Sequence, residues 1–96
     1  SMFSIGGVPV YASYVLGGTG SRPQMLTLYA DLPEDVALHF LNNLGRGEPY
    51  VSVADMRAKI AGSTPTPNPA YKSFDVYTNA SEPGKVFVMI NSRNYL

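Results

Sequence analysis

Four stretches of this chain alternate between two sets of side chains with a period of two, which is the repeat of a β-strand. In the first stretch, Val8–Leu16, one set is Val8, Val10, Ala12, Tyr14 and Leu16. Residues 24–30, 72–78 and 85–91 alternate in the same way. Strands of this kind bury one face only and pair antiparallel through short connections. The pattern therefore predicts an antiparallel sheet of about four strands.

Two connections divide these strands into hairpins. Residues 17–23 are rich in glycine and join the first pair, and residues 79–84 join the second pair. The run Gly17-Gly18-Thr19-Gly20 resembles a phosphate-binding loop in composition. Such loops lead into a helix and carry a lysine, whereas Pro23 and a strand follow here. The run therefore indicates a hairpin loop.

The region between the hairpins carries helix signals. Asp31 and Glu34 have the spacing of a capping box, and Pro33 suits a first helical turn. An apolar stripe with helical spacing follows, made of Val36, Ala37, Phe40, Leu41 and Leu44. Gly45 supplies a stop signal. These features predict one amphipathic helix.

Residues 50–61 fit two structures. A helix would begin at Ser52, use Asp55 in a capping box and end at Gly62. A strand would alternate Met56, Ala58 and Ile60 with Arg57 and Lys59. The many good helix formers favour the helix. Three prolines in residues 63–70 then predict a stiff, extended loop.

Together these elements predict a compact α+β domain with the order β-β-α-α-β-β, in which the sheet packs one face on one or two helices. Residues 1–96 are expected to form a single domain. Ser1 and Met2 resemble a protease-cleavage scar, and residues 1–7 are expected to be a flexible N-terminus.

Composition narrows the function classes. The chain has no cysteine, one histidine, seven basic and seven acidic residues. Without thiols and with one imidazole, a metal site is disfavoured, and no cofactor, metal or catalytic residue is predicted. Zero net charge provides little long-range attraction to phosphate. The absence of cysteine and of a signal peptide predicts a cytoplasmic protein.

The predicted sheet has apolar side chains on both faces. The core-facing set is Val8, Val10, Tyr14, Leu16, Leu26, Leu28, Phe74, Val76, Val86, Val88 and Ile90. The opposite face carries Tyr11, Val15, Met25, Tyr29, Tyr77, Phe87 and Met89. Large exposed apolar patches mark interaction sites, and tyrosine and methionine suit that role. We therefore predict a non-enzymatic interaction module that binds a protein partner, typically a second copy of the chain, through this second face.

Two other interpretations of this apolar face stay open. The second helix or the proline-rich loop could cover it within one chain. Alternatively, its aromatics could stack on single-stranded nucleic acid, aided by Arg46, Arg57, Lys59, Lys72, Lys85 and Arg93. The RNA-recognition signature is missing, so scattered surface charges explain these cations more simply.

His39 is the third candidate for function. It lies four residues from both Asp35 and Asn43, so the three share one helix face. A carboxylate beside an imidazole could support acid–base chemistry in a small hydrolase-type enzyme. No nucleophile is tied to the pair, and an exposed i, i+4 contact explains the spacing equally well.

Overall fold

The computed structural model describes residues 3–16, 23–45, 48–60, 68, 71 and 74–92, and the side chains of Phe3, residues 14–16 and residues 23–25 fall outside that description. These residues form an α+β fold with five antiparallel strands and two helices. The strands are β1 (Phe3–Ile5), β2 (Val8–Leu16), β3 (Pro23–Pro33), β4 (Phe74–Ala80) and β5 (Lys85–Ser92). The helices are α1 (Glu34–Asn42) and α2 (Val53–Ile60). The α+β class is confirmed, with one strand more than predicted.

The additional strand is β1, which lies within the segment 1–7 that was expected to be flexible; residues 1 and 2 lie outside the described part of the chain. It pairs with the start of β2, Ile5 opposite Val8 and Phe3 opposite Val10. Gly6 and Gly7 form the turn, with φ of 55° and 81°. Positive φ at both central positions defines the tight turn that matches strand twist, and glycine adopts it without a Cβ penalty. The element order is therefore β-β-β-α-α-β-β.

The start of α1 differs from its prediction. β3 continues through Asp31 to Pro33, and Pro33 occupies the N-cap position without a side-chain hydrogen bond. Asp31 Oδ1 instead accepts a hydrogen bond from Ser81 Oγ at 2.6 Å. The Asp31–Glu34 capping box was therefore wrong, because pairing across the sheet holds Asp31 in a strand. The Glu34 N–H donates to the Gly84 carbonyl instead.

The ambiguous region, residues 50–61, contains the helix α2, as predicted. Asp55 N–H donates to Ser52 Oγ at 3.1 Å, and Asp55 Oδ2 accepts the Val51 N–H at 3.0 Å. The bond to Ser52 satisfies one of the donors that a helix start leaves unpaired, and the bond from Val51 ties the preceding residue to the first turn. Met56 and Ile60 are buried, one turn apart on the inner side of α2. The helical period, rather than the strand period, thus matches the burial of this segment.

The sheet has the order β1-β2-β3-β5-β4. β5 lies in the interior and pairs on one side with β3 and on the other with β4. The cross-strand row Leu28, Ile90 and Val76 faces the helices, because Ile90 and Val76 belong to the buried core. By the alternation of strand side chains, the rows between these core rows face the other way.

Both helices pack on the same face of the sheet. Ala37 and Leu41 of α1 and Met56 and Ile60 of α2 join the sheet residues in a single core cluster. Its remaining members are Val10, Ala30, Leu32, Tyr50, Tyr71, Val76, Val86, Val88 and Ile90. A guanidinium–carboxylate pair between Arg57 and Glu34 links the two helices at their surface. The sheet face opposite the helices is called the outer face below.

Asn68 of the proline-rich region and Tyr71, just after that region, lie against the helices and the sheet edge. The Tyr71 hydroxyl is buried and donates to the Leu41 carbonyl at 2.8 Å. Asn68 donates its backbone N–H to the Val76 carbonyl and its side-chain amide to the Tyr50 hydroxyl. Neither residue contacts the outer face through these bonds. The rest of residues 61–70 lies outside the described part of the chain.

Candidate interaction face

One continuous row of large side chains crosses the outer face. Tyr11 of β2 is opposite Tyr29 of β3, Tyr29 is opposite Met89 of β5, and Met89 is opposite Tyr77 of β4. These four residues are called the tyrosine row. Strands in a sheet are roughly 4.8 Å apart, so the row spans about 14 Å. Strands distant in sequence therefore assemble one apolar surface.

Ring contacts order the centre of this surface. The Tyr11 and Tyr29 rings stack with centroids 5.5 Å apart and planes 23° apart. The Phe87 ring lies 6.3 Å from Tyr29 at a tilt of 39°. Aromatic pairs in this distance range attract each other beyond their burial of area. The aromatic groups thus form a connected cluster before any partner binds.

The cluster remains accessible to solvent. Tyr11 is 49% exposed and Tyr29 is 37% exposed, whereas Tyr77, Phe87 and Met89 are half-buried. Within the described residues, both helices lie on the opposite side of the sheet, so α2 does not cover this face. Five of the seven predicted face residues are therefore brought together. Val15 and Met25 are paired with each other on β2 and β3, and their side chains lie outside the described part.

Polar residues border the tyrosine row on both sides. Thr27 Oγ1 donates to Asn91 Oδ1 at 2.8 Å across β3 and β5. On the other side, Asp31 accepts the hydrogen bond from Ser81. These pairs leave an apolar centre with a polar rim, which is the usual anatomy of a protein interface. Their positions could not be read from alternation alone, because they depend on which strands are neighbours.

Arg57 and Lys59 lie away from the tyrosine row, whereas Lys85 stands two residues before Phe87 on β5. Arg57 pairs with Glu34, Lys59 with Asp55 at 3.3 Å, and Lys85 with Glu82 at 3.2 Å. The first two are on α2, on the helix side of the sheet, and Lys85 begins β5. Arg46, Lys72 and Arg93 lie outside the described residues. The described cations therefore do not form the basic platform considered for nucleic acid.

Ion pairing shifts the titration of the groups on α2 and at the start of α1. The hydrogen bond from Arg57 lowers the pKa of Glu34, and the same contact raises the pKa of Arg57. The Val51 N–H, followed by Lys59, lowers the pKa of Asp55. All these groups are stabilised in their charged forms at neutral pH. This is the behaviour of surface ion pairs rather than of proton-transferring groups.

The helix face with His39 is exposed. Asn43 Nδ2 donates to the His39 carbonyl at 2.7 Å and lies 3.5 Å from the His39 ring nitrogen Nε2. Asp35 is exposed one turn earlier. An open cleft of about 470 Å³ lies between the β4–β5 turn and the helices, lined in part by Glu34, Arg57, Ile60 and Lys85. His39 does not line this cleft.

A second cavity is small and apolar. Its volume is about 70 Å³, and it lies between the sheet and α1 beside Leu28, Phe40 and Ile90. No three acidic or histidine side chains of the described chain come together to hold a metal ion. Neither described helix is long and apolar enough to cross a membrane.

Comparisons of the chain with protein-family models, with curated proteins and with solved structures return no match in any of the three. The outer face is therefore interpreted from its own geometry.

Proposed function

We propose that this domain is a non-enzymatic protein-interaction module that associates with a second copy of itself through the outer face. The observation that carries the proposal is the tyrosine row, with Phe87 beside it. Half-exposed rings leave apolar area in water, and burying such area is worth roughly 25 cal/mol per Å². Docking would recover that free energy.

A second sheet is a suitable partner for this surface. Sheets pack face to face about 10 Å apart with interdigitating side chains, which fits large rings bordered by polar groups. Tyrosine hydroxyls retain hydrogen-bonding capacity at the rim of such a contact. The chain has zero net charge, so two copies do not repel each other over long range. These properties support self-association.

Single-stranded nucleic acid is the alternative occupant of the same face, and charge supports it less well. Asp31 borders the tyrosine row, and the three described cations are already in ion pairs. Phosphate contacts give a steep loss of affinity with added salt. An oligonucleotide titration at low and high salt measures this directly. Steep, salt-sensitive binding would replace the self-association proposal.

An enzyme built around Asp35 and His39 has the least support, because both side chains are exposed outside the described clefts. Such an enzyme would lose activity in His39→Ala. Full activity in the His39→Ala variant would eliminate the enzyme hypothesis.

Tyr29→Asp tests the proposed face. The change places a carboxylate at the centre of the tyrosine row without touching the buried core. We expect sedimentation velocity to show a concentration-dependent dimer for the parent chain and a monomer for the variant. Thermal unfolding of the variant should stay cooperative.

Val51→Asp is the matched control. Val51 is 81% exposed but precedes α2, away from the outer face. It receives the same charge and should associate as the parent does. A parent chain that stays monomeric at its highest soluble concentration, or equal effects of the two substitutions, would refute the proposal.

A further inference from the structure

The described helices do not cover the whole width of the sheet. Helix α1 packs mainly on β3 and β5, and helix α2 packs on β4. Neighbouring strands are about 4.8 Å apart and packed helices about 8–10 Å apart, so two helices cover roughly three or four strands. The strands β1 and β2 therefore lie at the border of the helix layer.

The side chains of the sheet are small near this border. Ala30 of β3 lies opposite Val88 of β5, and Val10 of β2 is buried in the same core cluster. The adjacent cross-strand pair consists of the larger Leu28 and Ile90. An alanine and two valines fill less space than a leucine and an isoleucine. The sheet surface on the helix side therefore has a depression at Ala30.

The cavity of about 70 Å³ lies at this depression. Ala30 and Val88 line it from the sheet, Phe40 lines it from α1, and Ile5 lines it from β1. The β1–β2 turn is close to α1, because a Cβ on Gly6 would lie 3.1 Å from a methyl group of α1. Three elements that are separate in the chain thus surround one small space.

The chemistry of the cavity wall is uniform. The described residues that line it are aliphatic or aromatic, and the backbone of β3 is paired with β2 and with β5. A water molecule in a protein interior needs about two to four polar partners. Apolar cavities that lack such partners stay dry, and an engineered one of about 150 Å³ binds benzene or xenon.

We infer that this cavity is a binding site for small, uncharged, apolar molecules, such as xenon or a short hydrocarbon. Its volume is about half that of the engineered cavity, which favours xenon over benzene. Ile5, Leu28 and Phe40 are only half-buried, so a guest reaches the cavity without unfolding of the core. Binding restores dispersion contacts that the wall of an empty cavity lacks.

The site is independent of the proposed self-association. The cavity lies between the sheet and α1, whereas the tyrosine row is on the outer face of the sheet. A guest in the cavity neither touches nor requires a second copy of the chain. The inference therefore goes beyond the proposed function.

Xenon is the probe for this site. A titration of the full chain with xenon under pressure, followed by methyl NMR, measures binding. We expect saturable shifts at the methyl groups of Val88 and Ile90, which line the cavity. The methyl group of Met56 is also buried but does not line the cavity, so it should not shift. Shifts that rise linearly with xenon at all three residues would overturn the site.

Ala30→Val places two additional methyl groups at the cavity. Valine is favourable in a strand, so the sheet should still form. The shifts at Val88 and Ile90 should fall at least about tenfold at equal xenon pressure, because xenon and the added methyl groups compete for one volume. Ala12→Val is the matched control, since Ala12 is exposed on β2 and does not line the cavity. Equal xenon binding in the two variants would refute the inference.

Val10→Ile fills the same cavity from β2 and serves if Ala30→Val does not unfold cooperatively. Xenon binding to Val10→Ile should be weaker than binding to the parent chain. Both variants leave the outer face unchanged, so their sedimentation should match that of the parent. Parent-like xenon binding in a cooperatively folded filled variant would refute the cavity site. A monomeric parent chain would refute the proposed self-association alone.

Discussion

Tyr11 on β2 and Tyr29 on β3 are direct cross-strand partners, and their rings stack at 5.5 Å on the exposed side of the sheet. Each ring restricts the rotamers of the other. Side chains that are ordered before binding lose less conformational entropy when a partner docks. The stacked pair is therefore a pre-organised anchor at one end of the tyrosine row.

The stacking can be measured within the monomer. Tyr11→Ala and Tyr29→Ala, alone and combined, should show a coupling free energy of about 0.5–1 kcal/mol in urea unfolding at low protein concentration. The combination of Tyr11→Ala with Ser81→Ala, at a distant position, should be additive within about 0.5 kcal/mol. Additivity of the two tyrosine changes would show that the rings do not interact.

The turn between β1 and β2 predicts a difference between two glycines. Both glycines have positive φ. A Cβ added to Gly6 would lie 3.1 Å from Val36 Cγ1, whereas a Cβ added to Gly7 would have no atom within 4 Å. Asparagine tolerates positive φ, so Gly7→Asn should change stability by about 0.5 kcal/mol or less. Gly6→Asn should cost about 1–3 kcal/mol through crowding.

Hydrogen exchange at the amides of Phe3 and Ile5 provides a second measurement for the same pair. Exchange should accelerate in Gly6→Asn and change little in Gly7→Asn. If both variants behave alike, contact between the turn and α1 is unimportant for β1.

The start of α2 depends on one hydroxyl. Ser52→Ala removes the acceptor for the Asp55 N–H and should lower the free energy of unfolding by about 1 kcal/mol. Ser4→Ala, an exposed strand serine, serves as the control and should change it by about 0.5 kcal/mol or less. Urea unfolding compares the two. Equal small effects would mean that the cap does not stabilise the helix.

Tyr71 predicts a loss of stability at high pH. Burial, followed by the neighbouring Tyr50, raises the pKa of Tyr71 well above its usual value. The folded state therefore retains this proton when the unfolded chain has lost it. The contribution to stability is complete below the unfolded pKa of about 10 and declines as pH rises above it.

Tyr71→Phe removes this titration together with the hydrogen bond to Leu41. We expect a cost of about 1 kcal/mol at neutral pH. Urea midpoints of the variant should then fall less steeply above pH 10 than those of the parent. Ser52→Ala, which is expected to lower stability by a similar amount without removing a phenol, should leave the parent slope in place. Parallel slopes for Tyr71→Phe and the parent would contradict a buried, neutral Tyr71.

The amphipathic helix α1 was predictable because burial follows a local period. Ala37 and Leu41 are fully buried, and Val36, Phe40 and Leu44 pack against the core. The start of this helix was not predictable in the same way. A capping box is a local signal, whereas Asp31 is held opposite Phe87 on a strand 56 residues later in the chain.

The face of the sheet was predictable, but its arrangement was not. Alternation along each strand separates Tyr29 from Ala30 without knowledge of any neighbour. The row from Tyr11 to Tyr77 depends on β5 lying between β3 and β4, which no single strand specifies. β1 was missed because it has only three residues. The two glycines between Ile5 and Val8 were the signal for its hairpin.

The interior position of β5 has a consequence for the order of folding. Among the described strands, β5 is the one that joins β3 to β4, and the pairing of Leu28 with Ile90 spans 62 residues of chain. During synthesis, residues through Ser92 must leave the ribosome before β5 can pair with β3. Non-local pairing of this kind slows folding, because the entropy of closing a long loop is lost before the contacts that stabilise the closed chain have formed. Until then, the nascent chain exposes an unpaired edge of β3, which is the kind of surface that chaperones bind.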